Sequence, residues 1–203
     1  ENISSHVQSV HWLPAEGWNV FLFDYQGYGE SEGSPTFKNC IEDAEDALHW
    51  LQERDPRKSV LLGQSLGAAI AVNVASKSDN QSLLKTAIID SGFSSFPGVF
   101  RDKLNEFWLT WPLQYPLSIF ISGGYDPLPL IPSVQGFPVL FMHGQKDNIV
   151  PPYHSDRMFN AARPPKDIWK SADAGHIQML HMPEFRKRLT EYLEQFSSAS
   201  EIK

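Results

Sequence analysis

Three short stretches of the 203-residue chain hold residue types that together can carry out acyl transfer: Gly63-Gln64-Ser65-Leu66-Gly67, His143-Gly144-Gln145-Lys146-Asp147 and Gly175-His176. A serine hydroxyl is a weak nucleophile until a base takes its proton, and an imidazole base needs a carboxylate to fix its tautomer and orientation. Ser65, Asp147 and His176 supply the three groups in the order serine, acid, histidine. Asp90 follows a neighbouring predicted strand and stands as a second candidate acid, since a carboxylate there could reach the same imidazole. A glycine on each side of Ser65 lets the backbone turn sharply and leaves the hydroxyl uncrowded. Leu66 then opens a helix, so its amide has no partner inside that helix and, aided by the dipole, can stabilise an oxyanion.

Such residues act together only if the fold carries them to one place. The run 19–25, Asn-Val-Phe-Leu-Phe-Asp-Tyr, predicts a strand buried on both faces, and 26–35 is loop. Phe37, Cys40, Ile41, Ala44, Ala47, Leu48 and Leu51 form one apolar helical stripe, with acidic residues away from it or at its edges. A strand at 59–63, a helix at 66–77, a strand at 86–91, an insert at 94–136, a strand at 138–144, a helix near 153–162, a strand near 167–171 and a last helix opened by Pro183 follow. Ahead of all this, Ile3, Val7 and Val10 fall at helical spacing, closed by Pro14 and Gly17. Strand and helix alternating in this way predict an α/β fold: a mostly parallel sheet with helices on both faces, in which ligands bind beyond the carboxyl ends of the strands. That edge is where Ser65, Asp90, Asp147 and His176 all fall.

The length and a 41% hydrophobic content favour one domain over residues 1–203. Seventeen basic against 24 acidic side chains give a net charge of -7, and no lysine or arginine cluster could follow a phosphate backbone, so nucleic acid is not an expected partner. Cys40 alone can form neither an internal disulfide nor a thiolate metal cage and reads as core. The spacing of His143, Asp147 and His154 fits no metal-ligand pattern; with the other histidines, His143 and His154 read as surface or packing, and no metal or cofactor is expected. The N-terminal stretch lacks the basic start and apolar block of a signal peptide, and the uncharged run 107–125 is broken by prolines and glycines, which suits a cap better than a membrane span. The cell compartment stays open.

The segments Phe-Asp-Tyr-Gln-Gly-Tyr-Gly-Glu-Ser-Glu-Gly, Gly-Gln-Ser-Leu-Gly-Ala, His-Gly-Gln-Lys-Asp-Asn-Ile-Val-Pro and Ala-Gly-His, in this order between residues 21 and 176, resemble those of Bem46-like serine hydrolases of the α/β-hydrolase superfamily. The resemblance implies Ser65 as nucleophile, Asp147 as acid, His176 as base and the Leu66 amide as one oxyanion donor. It also implies a central strand between those at 20–25 and 59–63, ending in a His-Gly turn that carries the second oxyanion donor. Both would lie upstream of Glu1, so an N-terminally incomplete sheet is expected, and membrane association through an upstream segment with it. The aromatic residues of the insert, Phe96, Phe100, Phe107, Trp108, Trp111, Tyr115, Phe120 and Tyr125, either cap an apolar acyl group or only pack the insert onto the body. The expected partner is a small-molecule or lipid-like substrate, with an ester favoured over a thioester or amide. A catalytically silent hydrolase-like binding domain is the alternative.

Overall fold

The computed structural model of the chain describes residues 3–105 and 124–196. Four parallel strands, β1 (Ser59–Gln64), β2 (Leu84–Asp90), β3 (Val139–Gly144) and β4 (Lys166–Ser171), lie side by side in sequence order. Successive side chains of a strand point to opposite faces, and the two apolar clusters follow that alternation. Ala87, Ile89, Val139 and Phe141 belong to one cluster, while Ile88, Leu140 and Met142 belong to the other. Helices cover both faces. Helix α1 (Phe37–Arg54) and α2 (Leu66–Ser76) pack on the first face, with α4 (Tyr153–Ala161) beyond them; α5 (Pro183–Glu194) covers the second through Leu189 and Leu193. Each fully buried leucine or phenylalanine in these layers contributes about 1.5–3 kcal/mol relative to exposure.

Helix α1 starts where Thr36 caps it, its Oγ1 accepting from the Asn39 amide at 3.1 Å, and it buries Cys40, Ile41, Ala44 and Leu48, as the apolar stripe predicts. Helix α2 is so rich in alanine that residues 68–75 are all buried, letting it lie close against the sheet. Helix α3 (Phe96–Asn105), which the sequence pattern did not single out, opens the insert. No helix among the described residues is long and apolar enough to cross a membrane.

Two expectations are corrected. The N-terminal segment is not one helix: a single turn at Ile3–His6 gives way to 3-10 turns at Val7–Ser9 and Leu13–Glu16, and Pro14 starts the second of these turns rather than ending a helix. Val10 and Leu13 still reach the core. The run 19–25 forms no strand, and Val20 and Phe21 are exposed. A strand exists by pairing, and among the described residues no strand pairs with this segment. Between it and β1, which ends the sheet among the described residues, lies a cavity of about 510 Å³ walled by Phe21, Phe23, Val60, Leu62, Leu48 and Ser65 among others. β1 is correspondingly only half-buried over most of its length, where β2 and β3 are buried almost throughout.

The register sets the site. Gln64 lies beside Asp90, Asp90 beside Met142, and Gly144 beside Ser171, so the four strands end nearly level and their following loops share one edge.

Candidate active site

Ser65 stands between β1 and α2 with φ 54° and ψ -116°, a conformation that costs a residue with a side chain about 1–3 kcal/mol. Two features hold it there. Its amide donates to the Asp90 carbonyl at 2.9 Å, and Gly63 leaves room for the helix: a Cβ at Gly63 would collide with the Gly67 carbonyl. The sequence reading gave both flanking glycines the same task, but a Cβ at Gly67 would meet open space. Only Gly63 is required by the close approach. The turn leaves Ser65 half-buried and Leu66 39% exposed at the head of α2, with no side chain capping the first amides.

His176 reaches this turn from the loop after β4. Its Nε2 lies 2.9 Å from Ser65 Oγ and its Nδ1 lies 2.7 Å from Asp147 Oδ2. Backbone bonds join the loops that carry Asp147 and His176: Gln145 donates to the Ser171 carbonyl at 2.7 Å and Lys146 to the Ala174 carbonyl at 3.0 Å. The loop is fixed on the other side by Ile177, at φ 50°, whose amide donates to Ser91 Oγ at 3.0 Å. Ser65, Ser91 and Ile177 are the non-glycine residues with positive φ among those described: Ser65 bonds the imidazole, Ile177 follows His176 in the chain, and Ser91 accepts from the Ile177 amide. The three residues singled out in the sequence are therefore brought together, and the imidazole bridges hydroxyl and carboxylate.

Asp147 is held by four donors. Its Oδ1 accepts from the Ile149 and Val150 amides, both at 2.9 Å, and its Oδ2 accepts from His176 Nδ1 and from His143 Nε2, the latter at 3.1 Å. Burial alone would raise its pKa; the bonds from His143, His176 and the two amides outweigh burial and hold the carboxyl well below the usual carboxylate range. It is thus ionised whenever a neutral imidazole is at work. His143 was read from sequence as surface or packing. It packs, wholly buried, and also meets Asp147, a contact that no local pattern announces because it forms only when the 147–150 turn folds back over the end of β3.

Asp90, the second candidate acid, is wholly buried but does not bond to His176. Its Oδ2 accepts from Gln64 Nε2 at 2.8 Å and its Oδ1 from Ser91 Oγ at 3.2 Å. Burial drives its pKa up, against the pull of those two bonds. A carboxyl whose native pKa is raised binds its proton more tightly folded than unfolded, so it weakens the fold at neutral pH and this penalty fades as the pH falls through the raised value. Asp90→Asn is accordingly expected to melt higher than wild type at pH 7, with the difference shrinking towards pH 4, and to keep turnover within a few-fold. Thermal melts across that pH range, with rates beside them, check both points; a loss of turnover on the scale of a missing acid would move that role from Asp147 to Asp90.

The remaining histidines fall elsewhere. His49 bonds Asn80 and His181 bonds Ser9. His154 is buried under α3, with Nδ1 2.7 Å from Ser94 Oγ and Nε2 2.8 Å from Asp102 Oδ2. Of the insert's aromatic residues, Phe107, Trp108, Trp111, Tyr115 and Phe120 lie outside the described residues. Phe96 packs edge-to-face on Phe93 and Phe37, and Tyr125 packs on Phe37, so these two rings hold the insert to the body. The cavity that opens at Ser65 and Leu66 is instead lined by Phe21, Phe23, Tyr25 and Tyr28.

The chain matches the family described as serine aminopeptidase, S33 (Hydrolase_4) over residues 1–111. Among curated relatives, the uncharacterized protein YfhR of Escherichia coli K12 is 29% identical over 198 residues, covering 95% of this chain and 66% of that one. Protein Bem46 of Schizosaccharomyces pombe is 33% identical over 142 residues, covering 66% of this chain and 43% of that one. The chain thus spans less than two thirds of the length of these relatives. In three dimensions it resembles the Pyrococcus furiosus esterase Pf2001, with a TM-score of 0.74 at 21% identity over 96% of this chain and 79% of that one. It also resembles a Paleococcus ferrophilus monoacylglycerol lipase, with a TM-score of 0.71 at 20% identity over 97% of this chain and 91% of that one. With the sheet, the tight turn at Ser65 and these matches in hand, the chain belongs to the serine aminopeptidase S33 family and is a Bem46-like α/β-hydrolase.

Proposed function

We propose that this chain is the catalytic part of a serine hydrolase that cleaves carboxylic esters with an apolar acyl group. The observation that carries the reading is the unbroken line of hydrogen bonds from Ser65 Oγ through the His176 ring to Asp147 Oδ2, at 2.9 and 2.7 Å. In the first step His176 Nε2 takes the Ser65 proton as Oγ attacks the acyl carbon, and the carbonyl oxygen becomes an oxyanion within reach of the Leu66 amide. The tetrahedral species collapses, the alcohol leaves with the proton from His176 Nε2, and the acyl group stays on Ser65. Water then repeats the cycle: His176 takes its proton, the hydroxide attacks, and Ser65 departs reprotonated with the free acid released. Asp147 keeps the proton of the neutral ring on Nδ1 and stabilises the imidazolium.

The likeness to a monoacylglycerol lipase, and the exposed Leu66 side chain next to Ser65, support a lipid-like acyl group bound beside the nucleophile. Each methylene buried there is worth about 0.8 kcal/mol, up to roughly fourfold in kcat/KM. A p-nitrophenyl ester series from acetate to octanoate, with an anilide of the same acids alongside, is expected to show kcat/KM rising with chain length and the anilides turning over far more slowly. A flat series would remove the lipid-like reading, and equal anilide turnover would shift the substrate class to amides.

A further inference from the structure

We infer that His143 is a positioning residue that fixes the Asp147 carboxylate for His176. This rests on the roles proposed above for Ser65, Asp147 and His176, and concerns a residue that never meets the substrate.

His143 lies near the end of β3 and is 0% exposed. Each ring nitrogen has a partner. Nε2 lies 2.9 Å from the Val150 carbonyl and 3.1 Å from Asp147 Oδ2, and Nδ1 lies 2.5 Å from Ser155 Oγ on α4. Both neighbours of Nε2 can only accept, so Nε2 carries the proton and donates; in the neutral ring Nδ1 is then bare and accepts from the Ser155 hydroxyl. The Val150 carbonyl and the Asp147 carboxylate therefore select this tautomer, and the Ser155 hydroxyl, which can donate or accept, anchors the ring at Nδ1.

The consequence for the acid is geometric. The Ile149 and Val150 amides hold Oδ1, and without His143 the other oxygen would have His176 as its single partner among the bonds described. The single Nε2–H of His143 is shared between the Val150 carbonyl, at 2.9 Å, and that oxygen, at 3.1 Å, so it ties the 147–150 turn at Asp147 and at its far end. Isosteric apolar replacement would leave both acceptors buried and short of a donor. The ring's burial closes it to substrate, so its effect on the reaction passes through Asp147 and His176.

The test compares His143→Leu, His143→Gln and Ser155→Ala in the full-length polypeptide. The glutamine amide can place an N–H near the position of Nε2, whereas leucine has no donor. His143→Leu is expected to lower kcat by about tenfold to a hundredfold, the scale of a misplaced catalytic group, with KM within about twofold. His143→Gln should recover most of the loss. Ser155→Ala, which removes the anchor of the ring at Nδ1, should lower kcat in the same direction by less. An independent reading comes from the proton on His176 Nδ1, whose downfield resonance should broaden or vanish through faster exchange in His143→Leu and persist in His143→Gln.

Unchanged kcat and an unchanged Nδ1–H resonance in folded His143→Leu, or a loss in His143→Gln as deep as in His143→Leu, would overturn the proposal. Should His143→Leu fail to fold, Ser155→Ala decides by the same two readings. The resonance reports on the Asp147–His176 pair whether or not esters are turned over. A Ser65→Ala variant that keeps turnover, beside a resonance that responds to His143, would therefore sink the catalytic reading and leave the positioning role standing.

Discussion

Replacing Ser65 by alanine is expected to lower ester turnover by a factor on the order of 10⁴ or more, with substrate binding and folding nearly intact. The size of the effect follows from what the hydroxyl does. In the proposed reaction its oxygen forms the acyl bond, and a distance of 2.9 Å from His176 Nε2 lets its proton leave as that bond forms. Alanine removes the nucleophile and leaves His176 bonded to Asp147, so the residual rate is that of water attack assisted by the remaining groups. Relief at a strained position is no obstacle to folding: Ser65 holds a positive φ that alanine tolerates no better and no worse, and the Gly63 contact with α2 is untouched. Steady-state kinetics with a p-nitrophenyl ester, beside a thermal melt, separates lost chemistry from lost structure. A variant that melts like wild type and turns over within tenfold of it would show that the hydroxyl is not the nucleophile.

Asp147→Asn should cost nearly as much, on the order of 10⁴ in kcat, by a different route. The Ile149 and Val150 amides demand an acceptor, so an asparagine is expected to give them its carbonyl oxygen and to turn its amide towards His176 Nδ1 and His143 Nε2. Donor then faces donor. His176 can escape only by moving its proton to Nε2, the nitrogen that must be bare to take the proton of Ser65. The same substitution is also expected to destabilise the fold. The native carboxyl has a pKa held below its ordinary value, so its contribution to stability is complete above that ordinary value and is lost as the pH falls through the depressed one; Asp147→Asn removes it at neutral pH. The melting temperature of the variant should therefore lie below wild type at pH 7, with the gap closing in strong acid. A variant with wild-type kcat would exclude Asp147 as the acid.

The parts of this site that were legible in the sequence are those set by local chemistry at strand ends. The turn around Ser65 is marked by a glycine that the structure requires, after a run of apolar residues and before a run of alanines. Asp147 and His176 follow β3 and β4, and a parallel sheet puts the ends of its strands on one edge whatever its details. Asp90 shows the limit of that rule. It also ends a strand, and only the three-dimensional path of the Gln64 and Ser91 side chains tells that its oxygens are already taken.

Contacts formed by chain folding back were not legible. His143 sits inside an apolar run that reads as core, and nothing four residues before an aspartate marks a ring that will bond to it. Residues 19–25 failed in the opposite direction: their composition suits a buried strand, but strand propensity describes a fit to neighbours, and among the described residues no strand pairs with this segment. Ile3 to Gly17 has helical spacing at its buried positions, yet the backbone meets it with one α turn and two 3-10 turns, which still deliver Val10 and Leu13 to the same apolar cluster.

The central claim, that the Ser65 hydroxyl is an activated nucleophile, is tested most directly by treating the full-length polypeptide with a fluorophosphonate and locating the adduct by mass spectrometry of the digest. Stoichiometric phosphonylation of the peptide that carries Ser65 is expected, abolished in Ser65→Ala and strongly slowed in Asp147→Asn. An unlabelled, folded wild-type chain, or label that persists undiminished in Ser65→Ala, would contradict it.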